Sequence, residues 1–482
     1  METSTLLVIA YYVYLFIAIV YVVTRNKETP STFAWIFLIA VFPVLGFVLY
    51  VLIGRKSLRT SKKQKINEKH FVGSMKRILS GLFKQQKKAI ELIEKRKDLE
   101  YKDKLFQLLY RNSESILTLR NRVKILRNGR EKFPMLFKDI KNAKRFIHMQ
   151  YFIWRSDELT EKFKELLIKK AKQGVEIRIL YDWFGSMLIS RKSLREMRRS
   201  GIKIYPYKGP GDYTFFHTLN YRDHSKIAII DGKIGYNGGM NMGREYLDGS
   251  KKFPYWRDTH LRIKGSSAKV LQTIFGYAWK AATRESLFKR EYYPRMEIKS
   301  FVPIQITSSR VETGWSSIEQ LYFQLINTAE KKVYIQSPYF VPNESIYTSL
   351  ITAALSGLDV RLLITGIPDK KIPYWAAFTY FEELLNAGVK IYHYKKGFMH
   401  SKTINIDTEI CSIGTANMDV RSLKLNHEIN TLIYDRKISK QLERDLLKDI
   451  EDSKEFTLND YRKINPLKKF RNSVARLLAP LL

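Results

Sequence analysis

An eight-residue word occurs twice in this chain of 482 residues, as HSKIAIID at residues 224–231 and as HSKTINID at residues 400–407. Each copy holds a histidine, a lysine two places later and an aspartate five places after the lysine. Side chains at positions i and i+2 of a β-strand point to the same side, so each histidine projects beside its lysine. The candidate catalytic residues are therefore His224, Lys226, Asp231, His400, Lys402 and Asp407.

Two further pairs of polar residues keep the register of the repeat. An asparagine follows each lysine at the same spacing, Asn241 in GYNGGMN and Asn417 in SIGTAN. Small residues precede both asparagines, which allows the backbone to approach a ligand closely. Further along, WRDTHLRI and NHEINTLIY are a matched pair of strand-like segments that put Asp258 and Glu428 at corresponding places.

These residue types suit phosphoryl chemistry. Two lysines and two asparagines, Asn241 and Asn417, would surround one phosphate with positive charge and hydrogen-bond donors. One histidine would attack phosphorus, while the other protonates the leaving oxygen and then deprotonates the incoming alcohol or water. A carboxylate on the far ring nitrogen would fix each tautomer, and we assign Asp258 and Glu428 to that task. This chemistry requires no metal and no other cofactor.

The structural alternatives differ among these residues. A single histidine in an apolar strand is more often structural than catalytic, and His-x-Lys alone is a weak signal. The duplication, with asparagines in register, favours catalysis for the histidines. Asp231 and Asp407 each end a strand before a predicted turn, where a structural role is at least as much to be expected as contact with substrate.

The surrounding segments are repeated as well, which predicts the fold. Strand-like segments in the first half are answered in the same order in the second, with helical patterns between them. The first set lies at residues 121–129, 142–152, 174–182 and 201–209, and the second at residues 302–309, 328–340, 357–365 and 388–397. The alternation predicts an α/β fold of two halves that pack about a pseudo-twofold axis.

The N-terminus contains two uncharged apolar runs, at residues 6–23 and 32–54, each long enough to cross a bilayer. Their short link predicts a transmembrane hairpin, in which Pro43 is tolerable. A cleaved signal peptide fits poorly, because no basic residue precedes the first run, and two buried soluble helices are the other alternative. The basic stretch RKSLRTSKKQK at residues 55–65 follows the second run, so the positive-inside rule places the rest of the chain in the cytoplasm.

Composition adds three constraints. The single cysteine, Cys411, excludes an internal disulfide and argues against a zinc cluster built on thiolates. The formal charge of +37 implies an anionic partner, either nucleic acid or a negatively charged membrane surface. Residues 70–88 and 465–482 are amphipathic, and each segment either lies in the membrane interface or packs on the main domain. In the first segment, the apolar face consists of Phe71, Met75, Ile78, Leu79 and Leu82.

The repeated words, together with GGMN and GTAN, resemble the His-x-Lys-x(4)-Asp signature of the phospholipase D superfamily. The double apolar N-terminus, HMQYFIW, YWRDTHLRI, SPYFVPNESI, GTANMDVRSLKLNHEIN and the final LLAPLL resemble one branch, the bacterial cardiolipin synthases. The similarity covers nearly the whole chain. It departs mildly at RDHSK, where the family more often has asparagine and a basic residue around the histidine.

The resemblance implies two phospholipase D-like domains, each a mixed sheet flanked by helices. It implies a phosphatidyl transfer between two phosphatidylglycerols, giving cardiolipin and glycerol. It also implies His224 and His400 as catalytic, Lys226, Lys402, Asn241 and Asn417 around the phosphate, and Asp258 and Glu428 as partners of the histidines. We expect a hairpin at residues 1–54, a basic and amphipathic segment at 55–115, and phospholipase D-like domains at 116–300 and 301–482.

The resulting expectation is a multi-pass enzyme of the bacterial plasma membrane with cytoplasmic catalytic domains. Its partners would be phosphatidylglycerol and anionic lipids, with no nucleic acid. The main alternative is a membrane-bound phospholipase D that releases phosphatidic acid; a nuclease and a non-catalytic surface-binding protein are more distant alternatives. The sequence leaves open which histidine attacks, whether other donors are used, and whether the chain forms a homo-oligomer.

Overall fold

The computed structural model describes residues 3–25, 29–51, 72–84, 86–94, 103–209, 222–309 and 315–478. The basic stretch at residues 55–65, and Phe71 of the predicted amphipathic segment, lie outside the described residues.

The first half of the chain forms a mixed sheet of seven strands in the order β1-β8-β6-β5-β2-β3-β4. Strands β2, β3 and β4 run parallel to one another, and the remaining neighbours are antiparallel. The central strand β2, FIHMQY, is buried at every position, as expected where both faces of a sheet are covered. The strands are β1 Asn121–Arg127, β2 Phe146–Tyr151, β3 Glu176–Asp182, β4 Lys203–Tyr207, β5 Lys226–Ile230, β6 Ile234–Gly238 and β8 Thr259–Gly265, with the short β7 Trp256–Arg257 outside the sheet.

The second half repeats this topology. Its eight strands have the order β9-β18-β16-β15-β10-β12-β13-β19, which matches the first sheet strand for strand and adds β19 at the edge. The strands are β9 Ile304–Ser309, β10 Lys332–Gln336, β12 Asp359–Thr365, β13 Lys390–Tyr394, β15 Thr403–Ile406, β16 Ile410–Gly414, β18 Glu428–Ile433 and β19 Ser453–Phe456, with the short β11 Phe340–Val341, β14 Phe398–Met399 and β17 Met418–Asp419 outside the sheet. The predicted α/β fold of two repeated halves is confirmed.

Helices cover the sheets and connect the strands. The longer helices of the two halves are Asn128–Lys141, Glu158–Lys172, Arg191–Arg199, Ser266–Thr283, Ser317–Thr328, Glu344–Leu355 and Arg436–Glu451. Shorter helices are Glu245–Asp248, Lys371–Ala377, Phe381–Asn386, Val420–Lys424 and Leu458–Arg462. Local signals set several of the starts; for example, Asp157 and Thr160 form a capping box at the first turn of Glu158–Lys172.

The two halves meet along a shared hydrophobic cluster. It includes Leu261 and Ile263 of β8 together with Ile304 and Ile306 of β9. Short strands also cross between the halves, since β7 pairs in parallel with β14 Phe398–Met399. The strand ends that carry the repeated words therefore lie at the boundary between the two halves.

The amphipathic segment near residue 80 packs on this shared cluster. Residues 72–78 are helical, and the helices Ser80–Lys84 and Gln86–Glu94 follow. Met75 and Leu79 are buried in the cluster, and Ile78 and Leu82 are partly buried against it. Of the two placements left open by the sequence, packing on the main domain is the one that the structure shows for this segment.

The N-terminal hairpin has one uninterrupted arm and one broken arm. Helix Thr3–Arg25 contains Val8–Arg25, which is, among the described residues, the stretch long and apolar enough to cross a membrane. The second apolar run forms two helices, Thr29–Val41 and Pro43–Leu49, on either side of Phe42. Pro43 has no N–H to continue the first of them, so the expected second span is not a single continuous helix. The arms pack through Ala18, Val22, Trp35, Ile39 and Tyr50.

The C-terminal helix Pro466–Leu478 is half buried. Ala475 belongs to a small cluster with Ala376 and Val341, and the Arg471 guanidinium lies 4.3 Å from the ring centre of Trp375. The opposite face is exposed and apolar. Its exposed residues are Leu467, Phe470, Val474 and Leu477.

Candidate active site

Each histidine of the repeated words is held by the backbone of the other half. The His224 N–H donates to the His427 carbonyl at 2.9 Å, and the His427 N–H donates to the Arg222 carbonyl at 2.8 Å. Likewise the His400 N–H donates to the Arg257 carbonyl at 2.7 Å. Each imidazole therefore sits on an extended segment that the opposite half fixes in place.

The carboxylate partners are exchanged between the halves. Nδ1 of His224 lies 2.9 Å from both carboxylate oxygens of Glu428, and Nδ1 of His400 lies 2.7 Å from Oδ2 of Asp258. Both carboxylates are fully buried. A carboxylate on Nδ1 selects the tautomer with the proton on Nδ1, which leaves the lone pair of Nε2 for a substrate. Sequence reasoning named both carboxylates but did not specify this crossed pairing.

Hydrogen bonds fix the carboxylates in turn. Glu428 accepts from the Thr415 hydroxyl at 2.5 Å and from the Asn426 amide at 3.3 Å. Oδ1 of Asp258 accepts from the Thr259 N–H at 2.7 Å. Thr415 and Asn426 had no signal in the sequence beyond their closeness to the matched words.

The two lysines lie beside the histidines as the strand alternation predicts. Nζ of Lys226 donates to the His224 carbonyl at 2.7 Å, and Nζ of Lys402 donates to the His400 carbonyl. Both lysines are fully buried, and burial lowers the pKa of Lys226 to about 7 and that of Lys402 to about 8. Each ammonium has two further N–H groups to offer an anion.

A single cavity of about 260 Å³ receives both histidines and both asparagines, Asn241 and Asn417. The side-chain oxygen of Asn417 is buried without a hydrogen-bond partner among the described residues. The Asn241 amide is more committed, because it donates to the Tyr246 hydroxyl at 2.6 Å and accepts from the Ile153 N–H at 3.2 Å. The structure therefore brings these four residues to one site, as the repeat predicts.

Asp231 and Asp407 lie elsewhere, which corrects their grouping with the catalytic residues. The Asp231 carboxylate accepts three backbone N–H groups, from residues 144, 145 and 146, at 2.8 to 3.0 Å. Asp407 does the same with residues 330, 331 and 332 at 2.8 to 2.9 Å. Both stand at the far ends of their strands, about 16 Å from the lysines at 3.3 Å per residue. Their part is to tie the strand end to the start of the central strand.

Aromatic rings enclose the two imidazoles unequally. The ring centres of Tyr246, Trp256 and Phe398 lie 5.7 to 5.8 Å from that of His400. Only the Phe152 ring lies comparably close to His224 among the described residues, at 4.9 Å. These rings keep apolar surface around the reacting groups and limit the access of water.

The electrostatics of the site disfavour the charged form of both histidines. Burial, reinforced by the positive charge of Lys402, lowers the pKa of His400 to about 4. Burial and the two lysines likewise lower the pKa of His224, while burial raises the pKa of Glu428. A phosphate bound between the lysines would offset their charge and raise the pKa of both imidazoles. A bound phosphate would thus help one imidazole to hold a proton.

Two arginines at the same cavity were missed by the sequence reasoning. Arg222 and Arg421 both line it, and they belong to the two halves. The available signal was the spacing of Arg222, which is two residues before His224 and so lies on the same side of an extended segment. Among the described residues, no group of three or more histidines, cysteines and carboxylates is placed to hold a metal ion.

The chain is similar to known proteins over most of its length. The family model described as "Cardiolipin synthase, PLD-like domain" matches residues 136–275 and 322–450, and the model "Phospholipase_D-nuclease N-terminal" matches residues 13–55. The chain is 39% identical over 486 residues to a cardiolipin synthase of Listeria monocytogenes serotype 4a (strain HCC23), with 99% of each chain covered. It is 37% identical over 486 residues to the major cardiolipin synthase of Bacillus subtilis (strain 168), covering 100% of this chain and 99% of that one.

A solved structure has the same fold. The phosphatidylserine synthase of Haemophilus influenzae Rd KW20 matches with a TM-score of 0.59 and 16% sequence identity, covering 79% of this chain and 100% of that chain. At this identity the likeness concerns the fold alone.

Proposed function

Since the chain belongs to the bacterial cardiolipin synthases, the phosphatidyltransferase branch of the phospholipase D superfamily, we propose that it joins two phosphatidylglycerols through a covalent phosphohistidine. The supporting observation is that two histidines, one from each half, reach one cavity with their Nδ1 atoms held by buried carboxylates. The proposed residues are His224, His400, Lys226, Lys402, Asn241 and Asn417, with Asp258 and Glu428 orienting the imidazoles.

In the first step, Nε2 of one histidine attacks the phosphorus of a phosphatidylglycerol. The bond from phosphorus to the headgroup glycerol oxygen breaks, and the other histidine, as imidazolium, gives that oxygen a proton so that glycerol leaves. The lysine ammonium groups stabilise the negative charge that builds up on the phosphoryl oxygens.

In the second step, the other histidine removes a proton from a glycerol hydroxyl of a second phosphatidylglycerol. That oxygen attacks phosphorus, the phosphorus–nitrogen bond breaks, and cardiolipin leaves with the first histidine restored. One phosphodiester is exchanged for another, so no nucleotide is consumed. The enclosing rings, with Trp256 and Phe398 beside His400, disfavour water as the acceptor.

Product analysis tests this function. Full-length enzyme in bilayers of phosphatidylglycerol is expected to release one glycerol for each cardiolipin, as measured by mass spectrometry of lipids and glycerol. The His224→Ala enzyme, prepared identically, gives the background. Phosphatidic acid as the main product would instead support the alternative, a membrane-bound phospholipase D.

The N-terminal helix and the C-terminal helix would together place the cavity at the membrane. The helix Thr3–Arg25 supplies an apolar anchor, and we place the catalytic halves on the cytoplasmic side, where the basic stretch at residues 55–65 meets anionic lipid. The helix Pro466–Leu478 packs on Lys371–Ala377, which carries the cavity-lining Pro373. Its exposed apolar stripe, flanked by lysines and arginines, suits the surface of an anionic bilayer.

A charge placed in this stripe should weaken bilayer activity. Leu467 is 78% exposed and Phe470 is 71% exposed. The double variant Leu467→Asp/Phe470→Asp is expected to lower the rate on phosphatidylglycerol bilayers by about tenfold, because two apolar contacts with lipid become repulsive. The rate on short-chain phosphatidylglycerol below its micellar concentration should stay within about twofold.

The control for this experiment is Leu355→Asp. Leu355 is 70% exposed at the end of the helix Glu344–Leu355, a different helix from the one that carries the C-terminal stripe. Both variants should melt at temperatures near that of the wild type. Equal losses on bilayers and on short-chain lipid, or equal losses in the variant and the control, would argue against membrane contact by this helix.

A further inference from the structure

The two halves differ at the positions next to their matched catalytic words. Two residues before each histidine stands Arg222 in the first half and Phe398 in the second. Four residues after each asparagine stands Glu245 in the first half and Arg421 in the second. The two halves therefore differ in charge at these matched positions. Both arginines line the same cavity, whereas the residues that match them in the other half are a phenylalanine and a glutamate.

The backbone of Arg222 is fixed beside that of His224. The hydrogen bonds of both residues to His427 hold the segment extended, so their side chains leave it on the same side. Two residues of extended chain span roughly 7 Å. The Arg222 guanidinium stacks on Phe184 at 3.9 Å from the ring centre, and the residue is only 8% exposed.

Arg421 approaches from the second half. It lies in the short helix Val420–Lys424, whose first turn is capped by Asp419 accepting from the Ser422 N–H. Burial lowers the pKa of Arg421 and that of Arg222, and Arg421 also lowers the pKa of Arg222 by its charge. Two positively charged guanidinium groups thus share a partly dehydrated part of the cavity.

Carboxylates act on these arginines as well, since the charge of Asp182 opposes the effect of burial on the pKa of both, and Asp419 and Glu428 do the same for Arg421. The Asp182 carboxylate accepts three backbone N–H groups, from Phe184, Gly185 and Asp223, which spread its charge over the loop. Asp419 serves as the helix cap. Burying guanidinium groups is least costly when an anion binds both of them.

We propose that Arg222 and Arg421 bind the phosphodiester of the acceptor lipid while the two lysines hold the phosphorus under attack. This inference rests on the proposed function. The product carries two phosphodiesters separated by one glycerol, so an acceptor with its hydroxyl at the reacting phosphorus has its own phosphate one glycerol away. The strand spacing between His224 and Arg222 is comparable to that span. Arginine suits such a site, because its planar fork binds two phosphate oxygens at once.

A comparison of two acceptors tests the assignment. Cardiolipin formation needs an acceptor with a phosphate, whereas exchange of deuterated glycerol into phosphatidylglycerol uses the same donor and an acceptor without one. For Arg222→Gln and Arg421→Gln, we expect cardiolipin formation to fall by about 10- to 100-fold each, the loss of one charge-assisted contact. The KM for phosphatidylglycerol as acceptor should rise, while glycerol exchange falls by no more than about threefold.

Arg155→Gln is the matched control, because Arg155 is another arginine that lines the same cavity, where it pairs with Glu245. Its ratio of cardiolipin formation to exchange should equal that of the wild type. Parallel loss of both reactions in the Arg222 and Arg421 variants, or no loss in either, would overturn the acceptor subsite. Failure of the proposed function has a different signature, since the wild type would then release phosphatidic acid in both assays.

Discussion

Alanine at His224 or at His400 is expected to lower cardiolipin formation by at least about 10³-fold, because one loss removes the nucleophile and the other removes the acid and base. The double variant should be about as slow as either single variant, since the two groups act in one sequence of steps. The measurement is turnover of phosphatidylglycerol per folded enzyme, with folding checked by thermal melting.

His393→Ala is a suitable control for this pair. His393 is buried in the second half, stacks on Phe456 at 5.1 Å between ring centres, and does not line the cavity. Its replacement should lower the melting temperature but leave the turnover of folded enzyme within a few-fold of the wild type. Full turnover in either His224→Ala or His400→Ala would contradict the division of work between the two imidazoles.

The amides Glu428→Gln and Asp258→Asn should each lower turnover by about 10²- to 10⁴-fold while keeping the shape of the site. An amide NH₂ facing Nδ1 favours the tautomer with the proton on Nε2, which removes the lone pair that attacks phosphorus or accepts a proton. Because the pairs are crossed, a change in the second half should disable a histidine of the first half, and the reverse. The readout is kcat of the folded variants.

The aspartates that end the two repeated words, Asp231 and Asp407, provide a control for these amide variants. Asp231→Asn and Asp407→Asn each weaken three hydrogen bonds from backbone N–H groups, at a cost of about 1–3 kcal/mol in the free energy of unfolding. Their turnover per folded molecule should stay near that of the wild type. If Asp231→Asn lost as much kcat as Asp258→Asn, a purely structural role for Asp231 and Asp407 would be contradicted.

The crossed pairs make the active site a property of the assembled halves. Arg257, buried at the boundary, donates through Nε to both carboxylate oxygens of Asp449 in the second half at 2.8 Å, and its own carbonyl accepts from the His400 N–H. Each histidine and the carboxylate that binds it come from different halves, so neither half alone contains a complete pair. Separation of the halves would therefore break these charged pairs as well as end catalysis.

Much of this architecture could be predicted from the sequence, because the same segments are repeated in the two halves. The matched strands, their order and the i, i+2 placement of His224 beside Lys226 are local or repeated properties. The exchange of Asp258 and Glu428 between the halves was not predictable in this way. It depends on how one half docks on the other, which the sequence pattern within each half does not specify.

Tertiary packing decided the remaining points. The segment around Leu79 is amphipathic in sequence, and the choice between lipid and protein was made by the cluster on which it packs. Hydropathy predicts one membrane span for the apolar run at residues 32–54. The missing N–H of Pro43 divides this run into two helices. The spacing of Arg222 from His224 is a usable signal in the sequence. It is not part of the repeat, because the matching residue in the second half is Phe398.

The most direct measurement is a peptide map of the enzyme quenched in cold, neutral denaturant during turnover of phosphatidylglycerol, since acid breaks a phosphorus–nitrogen bond to histidine and strong base removes the acyl chains of the lipid. The mass of one phosphatidyl group is expected on a single peptide, the one containing His224 or the one containing His400, and it should vanish when that histidine is replaced by alanine. An actively turning enzyme with neither peptide labelled, or with both labelled, would contradict a mechanism in which one imidazole carries the lipid and the other moves the protons.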